Sequence, residues 1–366
     1  MKNIDFPIFK TRLSEGSDSS GKKFDLNDIK QRQEYFESKA GNEIKKLKEY
    51  LENNTFIVYL LSKKNSGKGT YSKMLKEIVG DKINHLSVGD MIRSFDGILR
   101  DPSRRQELID FLLKKYRGPI SVEDIIKSME NRSTKVLLPT ELILALIEKE
   151  ISMLGRKAIF IDGFPRDFSQ ISYSLFFKSL IEYRNDPDIF VLIDVPTNII
   201  DKRAKYRVVC PVCNNSRSLK LLPTKNVGYD KEQNKFYLIC DNPDCSSAQE
   251  GKAARMVTKE GDELGIEPIR ERLEKEEILM GQAYNMYGIP KILLRNSIPI
   301  DRVKENYDDY EITQEYDYVF DKKNNQVLVN QKPWEVEDDN GVLSNSLMPP
   351  PVVVSLIKQL VNVLGL

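Results

Sequence analysis

From Phe56 to Leu61 six apolar or aromatic positions follow one another without a polar break, bounded by turn-forming residues. So short and unalternating a run predicts a strand buried on both faces. Similar runs recur at 82–87, 157–162, 189–195 and 291–295. Helical patterns stand between them. One covers Tyr71 to Val79 with Met74, Leu75 and Ile78 apolar. A longer one runs from Val88 to about Glu150, cut into pieces by Pro102, Gly118, Pro119 and Pro139. Strands alternating with helices predict an α/β fold: a parallel five-stranded sheet, helices on both faces, and ligands at the carboxyl ends of the strands.

The flanks read differently. Residues 1–24 are polar and are expected to be poorly ordered except where Phe6, Pro7 and Ile8 dock. From Leu26 to Asn53 the pattern predicts two helices broken near Gly41, with Ile44, Leu47 and Leu51 on one packing face, as an appendage to the core. Beyond Tyr307 an acidic, aromatic stretch leads to a hairpin around Lys322–Asn325. Pro349 to Pro351 then open a last helix, Val352 to Leu364, whose broad apolar face is expected to dock on the protein and not on a membrane.

Composition narrows the class. The 366 residues are 40% hydrophobic and 30% charged with a net charge of +1, which describes a soluble globular protein. Near-zero charge gives no bulk reason to expect nucleic-acid or anionic-membrane partners. No apolar run approaches the ~18 residues of a membrane span. The start, Met1 to Phe6, lacks a signal peptide's apolar core, so a cytoplasmic protein is expected. His85, the one histidine, falls in a predicted strand and reads as a packing residue.

The first strand runs into Ser62, Lys63, Lys64, Asn65, Ser66, Gly67, Lys68, Gly69 and Thr70, and then into a helix. Strand, small-residue loop, lysine and helix together wrap a phosphate: loop N–H groups point inward, the helix N-terminus adds positive potential, and Lys68 brings a full charge. An ordinary strand–helix turn that happens to hold Lys and Gly is the alternative. The pattern departs from the usual phosphate loop at Ser62, where Gly is expected, and at Asn65. Asn tolerates positive φ better than most residues, so Asn65 can replace a second Gly.

Five segments now fall in a recognisable order. They are Ser66–Thr70, Leu86–Arg93 (Leu-Ser-Val-Gly-Asp-Met-Ile-Arg), Ile161–Arg166 (Ile-Asp-Gly-Phe-Pro-Arg) with Gln170, Asp201–Arg203 with Arg207, and Arg270–Leu273. In that order, over roughly residues 55–305, the chain resembles the adenylate kinase family of nucleoside monophosphate kinases. The resemblance implies an N-terminal extension (1–54), a core with the phosphate loop (55–86) and a helical monophosphate-binding insert (87–150). A second core piece (151–206), a lid (207–260), the last of the core (261–306) and a C-terminal extension (307–366) follow.

It also implies roles. Lys68 follows the transferred phosphoryl group, Arg93 and Arg166 hold the acceptor's α-phosphate, Arg203 and Arg207 clamp the donor's phosphates, and Arg272 reaches the transferring group. Asp162 holds the water shell of Mg²⁺. Asn65, Ser66, Gly67, Gly69, Thr70 and Ile298 complete the ATP site. Val88, Leu138, Gly163 and Gln170 complete the AMP site, where Gln170 reads the base. Planar guanidinium forks suit bidentate phosphate contacts. The implied reaction moves a phosphoryl group from ATP·Mg²⁺ to AMP, giving two ADP, in a monomer whose partners are nucleotides. UMP or CMP as acceptor is the alternative within the fold, and a catalytically weak nucleotide-binding protein with an interaction role is the alternative outside it. Val88 stands where the family usually has Thr, no lid arginine precedes Asp262 and Glu263, and the segment from Arg93 to Leu142 is longer than the family's. Arg255 is a candidate for the missing lid contact.

All four cysteines fall in the lid: Cys210 and Cys213 at knuckle spacing, then Cys240 and Cys245. Two such pairs can close the tetrahedron of a structural Cys₄ zinc site. Asp244 is a fallback fourth ligand. Disulfides and free thiols are the alternatives.

Overall fold

The computed structural model describes residues 4–13, 22–130, 138–166, 186–249, 252–259 and 261–366. Its centre is a parallel five-stranded sheet in the order β10-β4-β1-β3-β2, where β1 is Ile57–Ser62, β2 Ile83–Ser87, β3 Ala158–Asp162, β4 Asp188–Asp194 and β10 Lys291–Arg295. These are the five runs read from the sequence. The register sets Leu60 and Ser87 beside Asp162, and Arg295 beside Asp194, so the functional ends of the strands lie at one edge.

Alternate side chains of each strand enter different cores. Val58, Leu60, Phe160, Val191 and Leu294 share one with α1 (Ile29–Asn53), α2 (Lys68–Val79) and the terminal helix Pro349–Val363. Ile57, Tyr59, Leu61, Ile161 and Leu192 share the other with α3 (Val88–Arg100), α4 (Pro102–Lys115), α5 (Val122–Glu130), α6 (Thr140–Met153) and the helix Arg270–Asn285. The prolines and Gly118 in the 88–150 stretch fall at the breaks between helices, as their backbone restrictions require. No helix among the described residues is long and apolar enough to cross a membrane.

The extensions join these cores. Tyr35 and Leu47 of α1 have no exposed surface and pack in the same cluster as the sheet, so α1 is part of the core and not an appendage. A kink at Ala40, where φ/ψ leave the helical region, divides α1 into two helices next to Gly41, as the sequence predicts. Phe6 is buried, and the N–H groups of Thr11 and Arg12 both reach the Asn306 carbonyl; residues 1–3 and 14–21 lie outside the described residues. The terminal helix packs on α1, α2 and β10. Gln359 offers its amide to the outer edge of β10, accepting from Leu293 N–H at 3.1 Å and donating to Leu293 C=O at 2.8 Å. That pairing covers a sheet edge that would otherwise template association.

The expected hairpin is β12 (Gln314–Asp321) and β13 (Gln326–Pro333), with Asn325 at φ 49° in its turn. It leans on residues 207–260, the segment that the resemblance assigns to the lid. The lid holds β5 (Arg207–Val209), β6 (Ser216–Ser218) and β9 (Val257–Thr258) in one small sheet and β7 (Val227–Asp230) with β8 (Lys235–Leu238) in another. Phe320 stacks on Tyr229 at 4.3 Å between ring centroids, and the Tyr316 N–H donates to the Lys220 carbonyl at 2.8 Å.

Candidate active site

The phosphate loop curls as its sequence demands. Asn65 takes φ 65° and Gly67 φ 105°, both left-handed. At Gly67 a Cβ would also meet the Tyr71 ring at 3.2 Å, so glycine is needed on two counts. No side chain caps the start of α2, whose first N–H groups remain available to an anion. Lys68 turns back over the loop, donating to the Ser62 carbonyl at 3.1 Å and the Ser62 hydroxyl at 2.8 Å; its ammonium lies 3.7 Å from Asp162. Ser62 is therefore more than small. Its hydroxyl bonds both Lys68 and Ser66, which the sequence did not reveal. Burial pulls Lys68 below the usual lysine range, only partly offset by Asp162. A lysine so placed gains from any anion that arrives.

Arginines gather around the loop. Arg203 is carried by the helix Thr197–Lys205 and donates to the Ser66 carbonyl at 3.2 Å; burial holds it below its ordinary range. Arg207, at the lid's base, donates to Asn65 Oδ1 at 3.2 Å and forks onto Asp262. Arg272 donates to Glu276 Oε1 at 2.8 Å, and Glu276 Oε2 accepts the Lys64 N–H at 2.6 Å. Lys68, Arg203, Arg207 and Arg272 thus converge from four separate segments.

The implied acceptor residues form a neighbouring group. Val88 is fully buried at the start of α3. Arg93 pairs with Asp90, while Arg166 donates from Nε to the Gly163 carbonyl at 2.7 Å. A Cβ on Gly89 would lie 3.4 Å from Arg93 Nη1 and 3.5 Å from Arg166 Nη2, so both guanidinium groups flank the same glycine. Burial and the nearby Arg272 charge hold Arg166 below its usual range. Gly163 is left-handed at φ 85° and Leu138 half-buried against the second core. Ile298 is buried in β11 (Ser297–Pro299), paired in register with Asn345 of the C-terminal extension. Gln170 and Glu260 lie outside the described residues. His85 is half-buried on β2 and faces Gly69, with a Cβ there 4.0 Å from its Cε1. Arg255 lies over the Tyr237 ring at 4.0 Å and pairs with Asp230, both within the lid.

Three acidic residues at the loop escaped the sequence reading: Glu276, Glu277 and Asp339. Lys63, in the loop's second position, pairs with Glu277 at 3.0 Å and Asp339 at 2.9 Å. Glu276 follows Arg272 by four residues on one helix, a spacing that signals an ion pair. Asp339 carried no local signal.

In the lid the sulfurs of Cys210, Cys213, Cys240 and Cys245 all lie within 4.8 Å of one another. Cys210 and Cys245 are 3.9 Å apart, Cys213 and Cys240 3.7 Å. A tetrahedral ion with bonds of 2.3 Å sets its thiolates about 3.8 Å apart. The four residues therefore fit a zinc ion. Asp244 is not needed for the set. Burial in this cluster pushes the Cys240 thiol up to about 12, a penalty that a central dication reverses.

No family model matches the chain. It is 27% identical over 221 residues to an adenylate kinase of Hydrogenobaculum sp., covering 60% of this chain and 83% of that one. It is 31% identical over 170 residues to an adenylate kinase of Clostridium novyi, covering 46% and 67% respectively. It is 27% identical over 195 residues to a probable UMP-CMP kinase 2 of Arabidopsis thaliana, covering 51% and 64%. With a phosphate loop at the carboxyl edge of a parallel sheet, converging arginines and these relatives, the chain belongs to the adenylate kinase family of nucleoside monophosphate kinases, which are phosphotransferases.

Proposed function

We propose that the chain is an adenylate kinase, transferring a phosphoryl group reversibly from ATP·Mg²⁺ to AMP to give two ADP. The observation that carries this reading is the convergence of Lys68, Arg203, Arg207 and Arg272 on one phosphate loop, beside Arg93 and Arg166. Phosphoryl transfer requires positioning and charge neutralisation and no protein nucleophile. Lys68 releases Ser62 and follows the moving phosphoryl group. Arg203 and Arg207 hold the donor's phosphates, Arg272 leaves Glu276 for the transferring group, and Arg93 and Arg166 hold the acceptor's phosphate. Mg²⁺ neutralises charge on the donor when bound, and Asp162 would hold its water shell. The lid's four cysteines hold zinc as a structural ion, with no open position for chemistry. The substrates are soluble nucleotides, and a cytoplasmic setting fits them.

A second acceptor has a specific motive: Val88 lacks the family's threonine hydroxyl, and one relative is named a UMP-CMP kinase. A coupled assay with AMP, CMP, UMP and GMP decides. We expect the highest kcat/KM with AMP. A higher value for CMP or UMP moves the assignment to a pyrimidine kinase, and no transfer to any of the four ends the enzymatic reading.

A further inference from the structure

Lys63 stands in the phosphate loop, yet its side chain is only 2% exposed. A buried ammonium is costly unless each of its three N–H groups finds an acceptor. Here each does: Asp339 Oδ2 at 2.9 Å, Glu277 Oε2 at 3.0 Å and Thr197 Oγ1 at 3.1 Å. The three acceptors come from distant segments. Glu277 belongs to the helix that bears Arg272, and Thr197 begins the helix that bears Arg203. Asp339 belongs to a turn of the C-terminal extension, beyond the stretch that resembles the kinase family.

Asp339 does two things at once. While Oδ2 takes the Lys63 ammonium, Oδ1 accepts the Thr197 backbone N–H at 2.8 Å. One carboxylate therefore ties the loop that carries Lys68 to the helix that carries Arg203. Burial pushes the Asp339 carboxyl up, but the Thr197 N–H and the Lys63 charge outweigh it and hold it below its usual range. The turn itself is braced. Asp338 accepts from the N–H groups of Asn340 at 2.9 Å and Val342 at 3.0 Å, and pairs with Arg295 at 2.6 Å. Arg295 is the last residue of β10, so the brace reaches the carboxyl edge of the core sheet.

We propose that Asp339 is a positioning residue for the donor nucleotide: by drawing Lys63 outward and fixing Thr197, it holds the phosphate loop and Arg203 in one frame for a nucleoside triphosphate. The extension thereby contributes to the donor site without touching the ligand. The inference rests on the kinase reading for the identity of that ligand.

The test measures affinity for a fluorescent ATP analogue (mant-ATP) and steady-state kinetics for Asp339→Ala, Asp339→Asn and the double variant Lys63→Met/Asp339→Ala. Asp339→Ala should weaken mant-ATP binding and raise the donor KM by a common factor of up to about a hundredfold, the scale of effect that a displaced binding group produces. The acceptor KM should stay within about twofold, because Arg93 and Arg166 lie on other segments. Asp339→Asn, which keeps an acceptor for Thr197, should fall between, and decides alone if the alanine variant does not fold. The double variant should bind mant-ATP about as weakly as Asp339→Ala, since the single substitution has already cut the tie to Lys63, which keeps Glu277 and Thr197 as partners. Folded variants that bind mant-ATP as the wild type does overturn the proposal, even if they melt earlier. A wild-type protein that binds mant-ATP but transfers phosphate to no acceptor defeats the kinase reading and leaves the affinity comparison standing.

Discussion

Lys68 rests on Ser62 oxygens and beside Asp162, contacts that an incoming phosphate can replace. Lys68→Ala should leave the fold intact and lower kcat by about two to three orders of magnitude, since one such electrostatic contact is worth roughly 3–4 kcal/mol in the transition state. Near-normal turnover with an unchanged far-UV spectrum would remove Lys68 from the mechanism. The residue could be picked out because its signal is local: Gly67, Lys68, Gly69 and Thr70 are adjacent and follow a strand. Asp339 sits hundreds of residues from the loop it braces, and nothing near it in the chain announces a partner. Buried Glu311 was equally silent. It accepts hydrogen bonds from Tyr35, from Thr11 at 2.9 Å and from the Asp308 N–H, joining both extensions. Burial raises its carboxyl pKa above the ordinary value, opposed by those same hydrogen bonds. The folded state therefore binds that proton more readily than the unfolded chain, and stability from this group grows as pH falls through the raised pKa. The melting temperature of the wild type relative to Glu311→Gln should accordingly rise as the pH is lowered from neutrality toward the ordinary carboxylate range. A constant or falling difference would contradict the sign.

At the scale of elements, the strands were legible because a buried parallel strand is a contiguous apolar run, and the 88–150 helices because prolines mark their ends. The lid's docking was not legible, since it depends on aromatic faces meeting across distant segments. Tyr229 stacks on Phe320, Phe236 lies 5.5 Å from Tyr318, and Lys231 lies over the Phe320 ring while donating to Asn325. An aromatic pair adds about 0.5–1.5 kcal/mol beyond its buried area. Phe320→Ala should therefore raise hydrogen exchange across Val227–Asp230 while β1 and β4 keep their protection; unchanged exchange in the lid would mean that the hairpin does not restrain it. The proposed zinc would act on the same element from inside, through Cys210, Cys213, Cys240 and Cys245. Elemental analysis should find close to one zinc per chain, in keeping with a single Cys₄ site. Cys213→Ser should loosen the lid far more than it weakens nucleotide binding. Protein that carries no metal, and whose melting curve ignores a chelator, would exclude the site.

For the molecule as a whole, the extensions complete the core. In the terminal helix Val352, Val353, Val354, Leu356, Ile357, Leu360 and Val361 are all buried in the cluster that contains the sheet and α1. At about 1.5 kcal/mol each, the low end for a buried aliphatic side chain, these positions contribute on the order of 10 kcal/mol. That is comparable with the roughly 5–15 kcal/mol net stability of a whole domain. Removing residues 349–366 should consequently leave no soluble folded enzyme, with the sheet edge at Leu293 exposed for association. Gln359→Ala isolates the edge contribution. It strips Leu293 of both partners and should cost about 1–2 kcal/mol, less than full desolvation because the site is part-exposed. It should also increase light scattering on heating without changing the donor KM, because the phosphate loop lies on a different strand. A soluble chain ending at Met348 with wild-type turnover would show that the kinase core stands alone and that the terminal helix serves some purpose other than folding.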